Sequence, residues 1–209
     1  IFKELEFTKL LQWVTSKEST EHHADYHLVS TKKACVELLS RLQGAQACAI
    51  SLITTSPDPL TSQPAGIAFA YSAEQAFYLP LTDDTSSDDE SLSTGWVMSQ
   101  IKPLLEDDHI KKYGHNVKHE IITCKRYGIS LKGIVFDTMI ASYLINPSKR
   151  AHNLDQIALD FLDHKTITYQ DLTGKKGKKA VTFDTVPIDK ASPYACEDAD
   201  ITLMAYHIL

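Results

Sequence analysis

The stretch IKKYGHNVKHEIITCKRYGISLKGIVFDTMIASYLIN, Ile110–Asn146, decides the fold class. Ile110 to Tyr113 is a short β-prone run, and Gly114-His115-Asn116 breaks it. Val117 to Tyr127 then reads as a helix, with Gly128 at its end, where a left-handed residue suits glycine. Gly133 to Phe136 reads as a second strand. Asp137 is placed to cap a helix running through Tyr143 to Ile145, which Asn146-Pro147 stops.

Upstream the pattern differs. Asp25 to Ser30 predicts a short strand. Ser30 or Thr31 can cap a helix whose apolar stripe is Ala34, Cys35, Leu38, Leu39 and Leu42, with Gly44 at its C-terminal turn. Ala47 to Thr54 is apolar and β-prone until Ser56-Pro57-Asp58-Pro59 breaks it. Gly66 to Tyr71 and Ala76 to Leu81 follow across a tight turn, so the three runs predict an antiparallel meander. Trp96 to Leu105 predicts a helix, and so does Leu154 to Leu162 behind an Asn153 cap. Pro187 to Leu209 predicts a long final helix. Strands first, then strand–helix alternation, argue an α/β fold: a mixed sheet flanked by helices. Residues 3–15 read as a helix which, with the polar run up to residue 24, forms a linker from a preceding region. Residues 83–93 read as a solvated acidic loop, and 174–179 as a basic flexible loop.

The 209 residues suit one domain, here taken as residues 25–209. With 21 basic and 27 acidic residues the net charge is -6. That argues against gripping nucleic acid by bulk charge, and leaves a local patch or a metal as the means. The first residues show no signal-peptide pattern, and no apolar run nears the ~20 residues of a membrane span. The expectation is a soluble, cytoplasmic, monomeric piece cut from a longer chain. The four cysteines, Cys35, Cys48, Cys124 and Cys196, form no close pair, so buried free thiols are expected rather than a zinc site or a disulfide framework.

Four groups of residues could carry chemistry. Tyr194 and Asp198 lie four apart and share a helix face, where a phenol beside a carboxylate can orient a water. A solvated acid is the bland reading of the same pair. Glu120, one turn into its helix, offers a hard oxygen for Mg²⁺ or Mn²⁺ beside His119, yet it also suits the helix dipole. Asp137 reads as an N-cap before it reads as catalytic. The run from Leu154 through His164 and Tyr169 to the lysine loop interleaves basic and aromatic residues, as single-stranded nucleic acid requires; a solvated loop would look similar.

The order and spacing of these groups carry a resemblance. The segments GHNVKHE (114–120), YGISLKGIVFDTMIASYLIN (127–146), LDQIA (154–158), LDHKTITYQDLTGKKGK (162–178) and YACEDADITL (194–203) resemble the 3'-5' exonuclease (proofreading) domain of bacterial DNA polymerase I, of the A family. Weaker similarity runs back through GIAFA (66–70) to about Asp25. The resemblance implies a ribonuclease-H-like, DnaQ-like exonuclease fold between a 5' nuclease region and a polymerase domain. It implies DNA as partner, and roles in replication and repair. It also implies a two-metal site in which four carboxylates hold ions about 3.5–4 Å apart. Two acids come from a D-x-E on the first core strand, one from the end of G-x-N-x-x-x-D, and the last from Y-x-x-x-D, whose tyrosine orients the attacking water.

Carried over position by position, the resemblance places Ser51 and Ile53 at the D-x-E acids, with period-two alternation turning both to one strand face. Glu120 stands at the third acid, while Tyr194 and Asp198 match the last motif. Asp58, beyond the proline turn, is the nearest acid to the D-x-E positions. Asn116 matches the family's asparagine, and Tyr169 aligns with an aromatic near the 3'-terminal base. His119 stands where the family has tyrosine. Ala151 replaces a phosphate-binding arginine, with Arg150 adjacent. Two carboxylates against the four charges of two Mg²⁺ predict weak or no metal binding and no proofreading, leaving a structural module for the polymerase domain. An isoleucine in place of a buried acid also predicts greater stability without metal. The alternative is a weak exonuclease acting on single-stranded 3' ends with Mg²⁺ or Mn²⁺.

Overall fold

The computed structural model describes residues 24–82, 92–174 and 181–209. The expected linker helix at 3–15 and most of the expected loops at 83–93 and 174–179 lie outside them. Six strands form one sheet: β1 (Asp25–Leu28), β2 (Ala47–Thr54), β3 (Pro64–Ser72), β4 (Gln75–Pro80), β5 (Lys111–Gly114) and β6 (Ile134–Asp137). Their order is β1-β4-β3-β2-β5-β6. The expected meander is present, because β2–β3 and β3–β4 pair antiparallel. The strand–helix half adds β5 and β6 in parallel on β2, and β1 pairs parallel with β4 at the far edge. The sheet is mixed because the two halves of the sequence connect their strands differently, by turns first and by crossover helices after.

Seven helices surround the sheet among the described residues: α1 (Lys32–Ala45), α2 (Thr94–Glu106), α3 (Val117–Arg126), α4 (Thr138–Ile145), α5 (Leu154–Ile157), α6 (Tyr169–Thr173) and α7 (Ile188–Ile208). Thr31 caps α1, accepting from the Ala34 amide at 3.2 Å. Gly44 does not end that helix as expected. The turn continues to Ala45, and Gln46 takes the left-handed conformation at φ 60°. Past α5 the helix widens into one π turn, Ala158–Leu162, so the single helix expected there is two winding types in series.

β2 is the central strand, and its alternation divides the core. Cys48, Ile50 and Leu52 face the layer formed with α1 and α2, whereas Ala49 and Ile53 belong to the layer beneath α7. All four cysteines are buried free thiols, as expected. Among the described residues, no helix is long and apolar enough to cross a membrane. On β3, an added Cβ at Gly66 would collide with the Tyr78 ring of β4, so the pairing there requires glycine.

Candidate active site

A cleft of about 410 Å³ opens at the C-terminal end of β2, between α3, α5 and α7. Its floor carries Ser51 and Ile53; one wall carries Asn116, His119 and Glu120, and the other Tyr169, Tyr194 and Asp198. The fold thus gathers eight of the sequence-derived positions from four separate segments. Arg150 is not among the lining residues and stands exposed between α4 and α5. Asp58 is also outside the cleft. Its carboxylate closes its own turn, accepting from the Leu60 amide at 3.0 Å and the Thr61 hydroxyl at 2.8 Å.

Each wall has a local cause. Asn116 takes φ 57°, a left-handed conformation that asparagine tolerates, and this turns the chain from β5 into α3. Asp137 secures the turn. Its carboxylate accepts from the amides of Asn116 (3.1 Å) and Val117 (2.8 Å), and also caps α4 through Met139 (2.9 Å) and Ile140 (3.3 Å). The N-cap reading of Asp137 therefore holds, with a second helix start added to it. His115, beside it, bonds the Thr138 hydroxyl at 2.8 Å, and burial pushes its imidazole down to about 4.

Glu120 points inward from the first turn of α3 and is 5% exposed. One oxygen accepts from the Leu52 amide at 3.4 Å; the other, Oε2, is buried with no hydrogen-bond partner. Burial above all, then the nearby Asp137 and Asp198 charges, pushes its carboxyl up to about 8. Asp198 is also pushed up to about 8, by burial and then by Asp155, although a hydrogen bond from Tyr194 opposes the shift. The Tyr194 phenol is held well above its ordinary value by burial and by that same Asp198.

Asp155 completes the acidic inventory, and sequence reasoning passed over it. It lies at the start of α5, lines the cleft, and accepts from the Thr166 hydroxyl at 2.7 Å. The LDQIA segment offered its position but no motif that aims an acid at Asp198. Sequence reasoning also missed the work of Asp198's neighbours. Glu197 accepts from His164 Nε2 at 2.7 Å and from the Ile167 amide at 2.6 Å, which hangs the segment carrying Tyr169 on α7. Asp200 accepts from the Glu74 amide at 2.8 Å and the Tyr26 hydroxyl at 3.1 Å, which fixes the β3–β4 turn and β1. Tyr169 itself stacks on Phe183 and meets Tyr194 edge-on.

The donor set departs from the four carboxylates that the resemblance implies. Ile53 offers no oxygen and Ser51 a neutral hydroxyl, which leaves Glu120, Asp155 and Asp198 as the carboxylates that line the cleft. Among the described residues, the group of acids and imidazole close enough to share one ion is Asp107, Asp108 and His109, on the exposed turn after α2 and away from the cleft.

A mixed sheet in this order, with acids converging at the end of its central strand, defines a ribonuclease-H-like fold of the DnaQ exonuclease type. The chain belongs to the 3'-5' exonuclease family of A-type DNA polymerases, which matches residues 26–209. Over its full length it is 34% identical to DNA polymerase I of Pseudomonas aeruginosa, of which it spans 24%. Over 54% of its length it is 42% identical to DNA polymerase I of Rhizobium leguminosarum, spanning 11% of that protein. The chain thus covers a quarter or less of these relatives. Three solved structures share its fold at 16–17% identity. These are the POL domain of Pol1 from M. smegmatis with DNA primer-template and dNTP (TM-score 0.62, 86% of this chain and 26% of that one), Brucella melitensis NrnC with bound Mg²⁺ (0.60; 88% and 78%), and the catalytic core of RRP6 from Trypanosoma brucei (0.63; 99% and 54%).

Proposed function

We propose that this domain has lost the proofreading chemistry of its family and serves as a structural module for the polymerase domain of a bacterial, cytoplasmic DNA polymerase I, acting as a monomer in replication and repair. The observation that carries this reading is the cleft floor. Ile53 is 5% exposed and packs in the apolar layer with Tyr194, Ala195 and Ala199. An apolar side chain thus occupies a position where the family pattern has an acid. Around it, Glu120 and Asp198 remain as the acids that match the motifs, and burial pushes both carboxyls up. Asn116, His119 and Tyr169 still line that cleft and are proposed to give weak contact with a single strand, with Arg150 at its margin.

Digestion of a 3'-labelled single strand, first with Mg²⁺ and then with Mn²⁺, tests the reading. No shortening is expected in either ion. Shortening that an Asp198→Ala substitution abolishes would overturn it. One observation favours the alternative, a slow exonuclease: the unpartnered Oε2 of Glu120, a hard oxygen on a residue that lines the cleft. The Mn²⁺ arm of the same assay decides between them.

A further inference from the structure

Helix α4 is built inside out. A surface helix ordinarily buries its apolar stripe and leaves its polar side in water. Here the buried residues are Thr138 and Ser142, one turn apart on one face. On the opposite side Ile140, Tyr143 and Leu144 are 57%, 53% and 74% exposed, and Ile145, which ends the helix, is 54% exposed. The inner face is satisfied by polar contacts: Thr138 donates to the Gly114 carbonyl at 3.3 Å, and Ser142 bonds His152 Nδ1 at 3.0 Å. Those contacts fix which side of the helix looks outward. Val135, on the edge strand β6 that leads into α4, is also 52% exposed. The remaining exposed large apolar residues, such as Leu28, Val36, Leu60 and Ile121, are scattered over other elements. Large apolar side chains left exposed together on one short helix mark a candidate interaction surface.

We propose that the α4–β6 patch is the seat on which this domain docks against the polymerase region of its own polypeptide. This rests on the reading of the domain as one part of a DNA polymerase I. The relatives place three quarters or more of their length outside the segment that this chain matches, so a large covalently attached body is at hand to cover the patch. A tethered partner needs no high intrinsic affinity, because attachment raises its effective concentration into the millimolar range. The patch is not the cleft: Ile140, Tyr143, Leu144 and Ile145 are absent from the cleft lining.

The test uses the full-length polypeptide. Leu144→Cys and Leu60→Cys variants are compared, since the two leucines are similarly exposed in this domain, at 74% and 68%, and the four native cysteines here are buried. Alkylation at each position is followed on its own peptide by mass spectrometry. The cysteine at 144 is expected to react at least tenfold more slowly than the one at 60. Equal rates would overturn the proposal. A photo-crosslinker at position 144 is expected to join peptides of the polymerase region. Crosslinks to a second copy of the chain, or to residues 1–23, would overturn it. Alkylation and crosslinking read coverage of α4 whether or not a 3' end is trimmed, so this outcome is separate from that of the digestion assay.

Discussion

Replacing Glu120 by glutamine should stabilise the protein, by an amount that pH controls. In the unfolded chain the carboxyl ionises at its ordinary value of 4.5, whereas in the fold burial pushes it up to about 8. Folding at pH 7 therefore returns a proton to a group that prefers to be charged in water. The gap from 4.5 to 7 corresponds to about 3 kcal/mol at 1.36 kcal/mol per unit. The sign follows directly. A raised folded value leaves the Glu120 contribution whole below pH 4.5 and erodes it as pH climbs toward 8. Glutamine keeps the shape and the acceptor for the Leu52 amide but does not titrate. The measurement is urea unfolding of the parent and Glu120→Gln proteins at pH 4, 5.5, 7 and 8. Using the difference between them cancels the opposing titration of His115, whose low folded value erodes stability as pH falls from 6.5 toward 4. The variant should match the parent at pH 4 and exceed it by about 2–3 kcal/mol at pH 7. Equal stability at pH 7, or a loss, would mean that Glu120 is ionised in the fold and held there by a cation. That would refute both the burial argument and the loss of the metal site.

Asp137→Ala orphans four backbone amides at two helix starts, and should cost about 3 kcal/mol in chemical unfolding. Glu197→Ala releases His164 and the Ile167 amide; the expected loss is about 2–3 kcal/mol, with faster amide exchange concentrated in residues 164–169. The double variant Ser51→Asp, Ile53→Glu should lower the melting temperature without divalent ions and regain part of it in Mg²⁺. A melting temperature indifferent to Mg²⁺ would show that more than these two positions has drifted.

Much of the fold was legible because its cues are local. Asp137 follows a β-prone run and precedes an apolar one, which is enough to place a strand end and a helix start. Ala47 to Thr54 could be read to the residue because the chain changes character abruptly at both ends. The short helix α6 was missed. Its capping box, Thr168 with Asp171, lies inside a basic run that reads equally well as loop, and its packing on Tyr194 and Phe183 is long-range. The π turn at Ala158–Leu162 leaves no composition signal at all. In the cleft, the positions came from motif spacing and so were found together. Asp155 escaped because no period or cap aims it at Asp198; that proximity exists only once α5 crosses α7. Glu197 and Asp200 were read as neighbours of a functional acid, and their hydrogen bonds reach residues 30 and 126 positions away.

Asp137, Glu197 and Asp200 hold the frame by engaging backbone amides, and none of them stands at position 51 or 53. Substitution at those two positions therefore breaks none of the hydrogen bonds that hold the frame. On the proposed reading, the forward step, from a buried acid to Ile53, is downhill in the metal-free fold. The return step must bury new carboxylates among the apolar and acidic side chains of the cleft, and without an ion each reversion alone is uphill. A cleft of this construction works as a ratchet in evolutionary time: chemistry can leave it by single substitutions, but can re-enter only by a concerted pair.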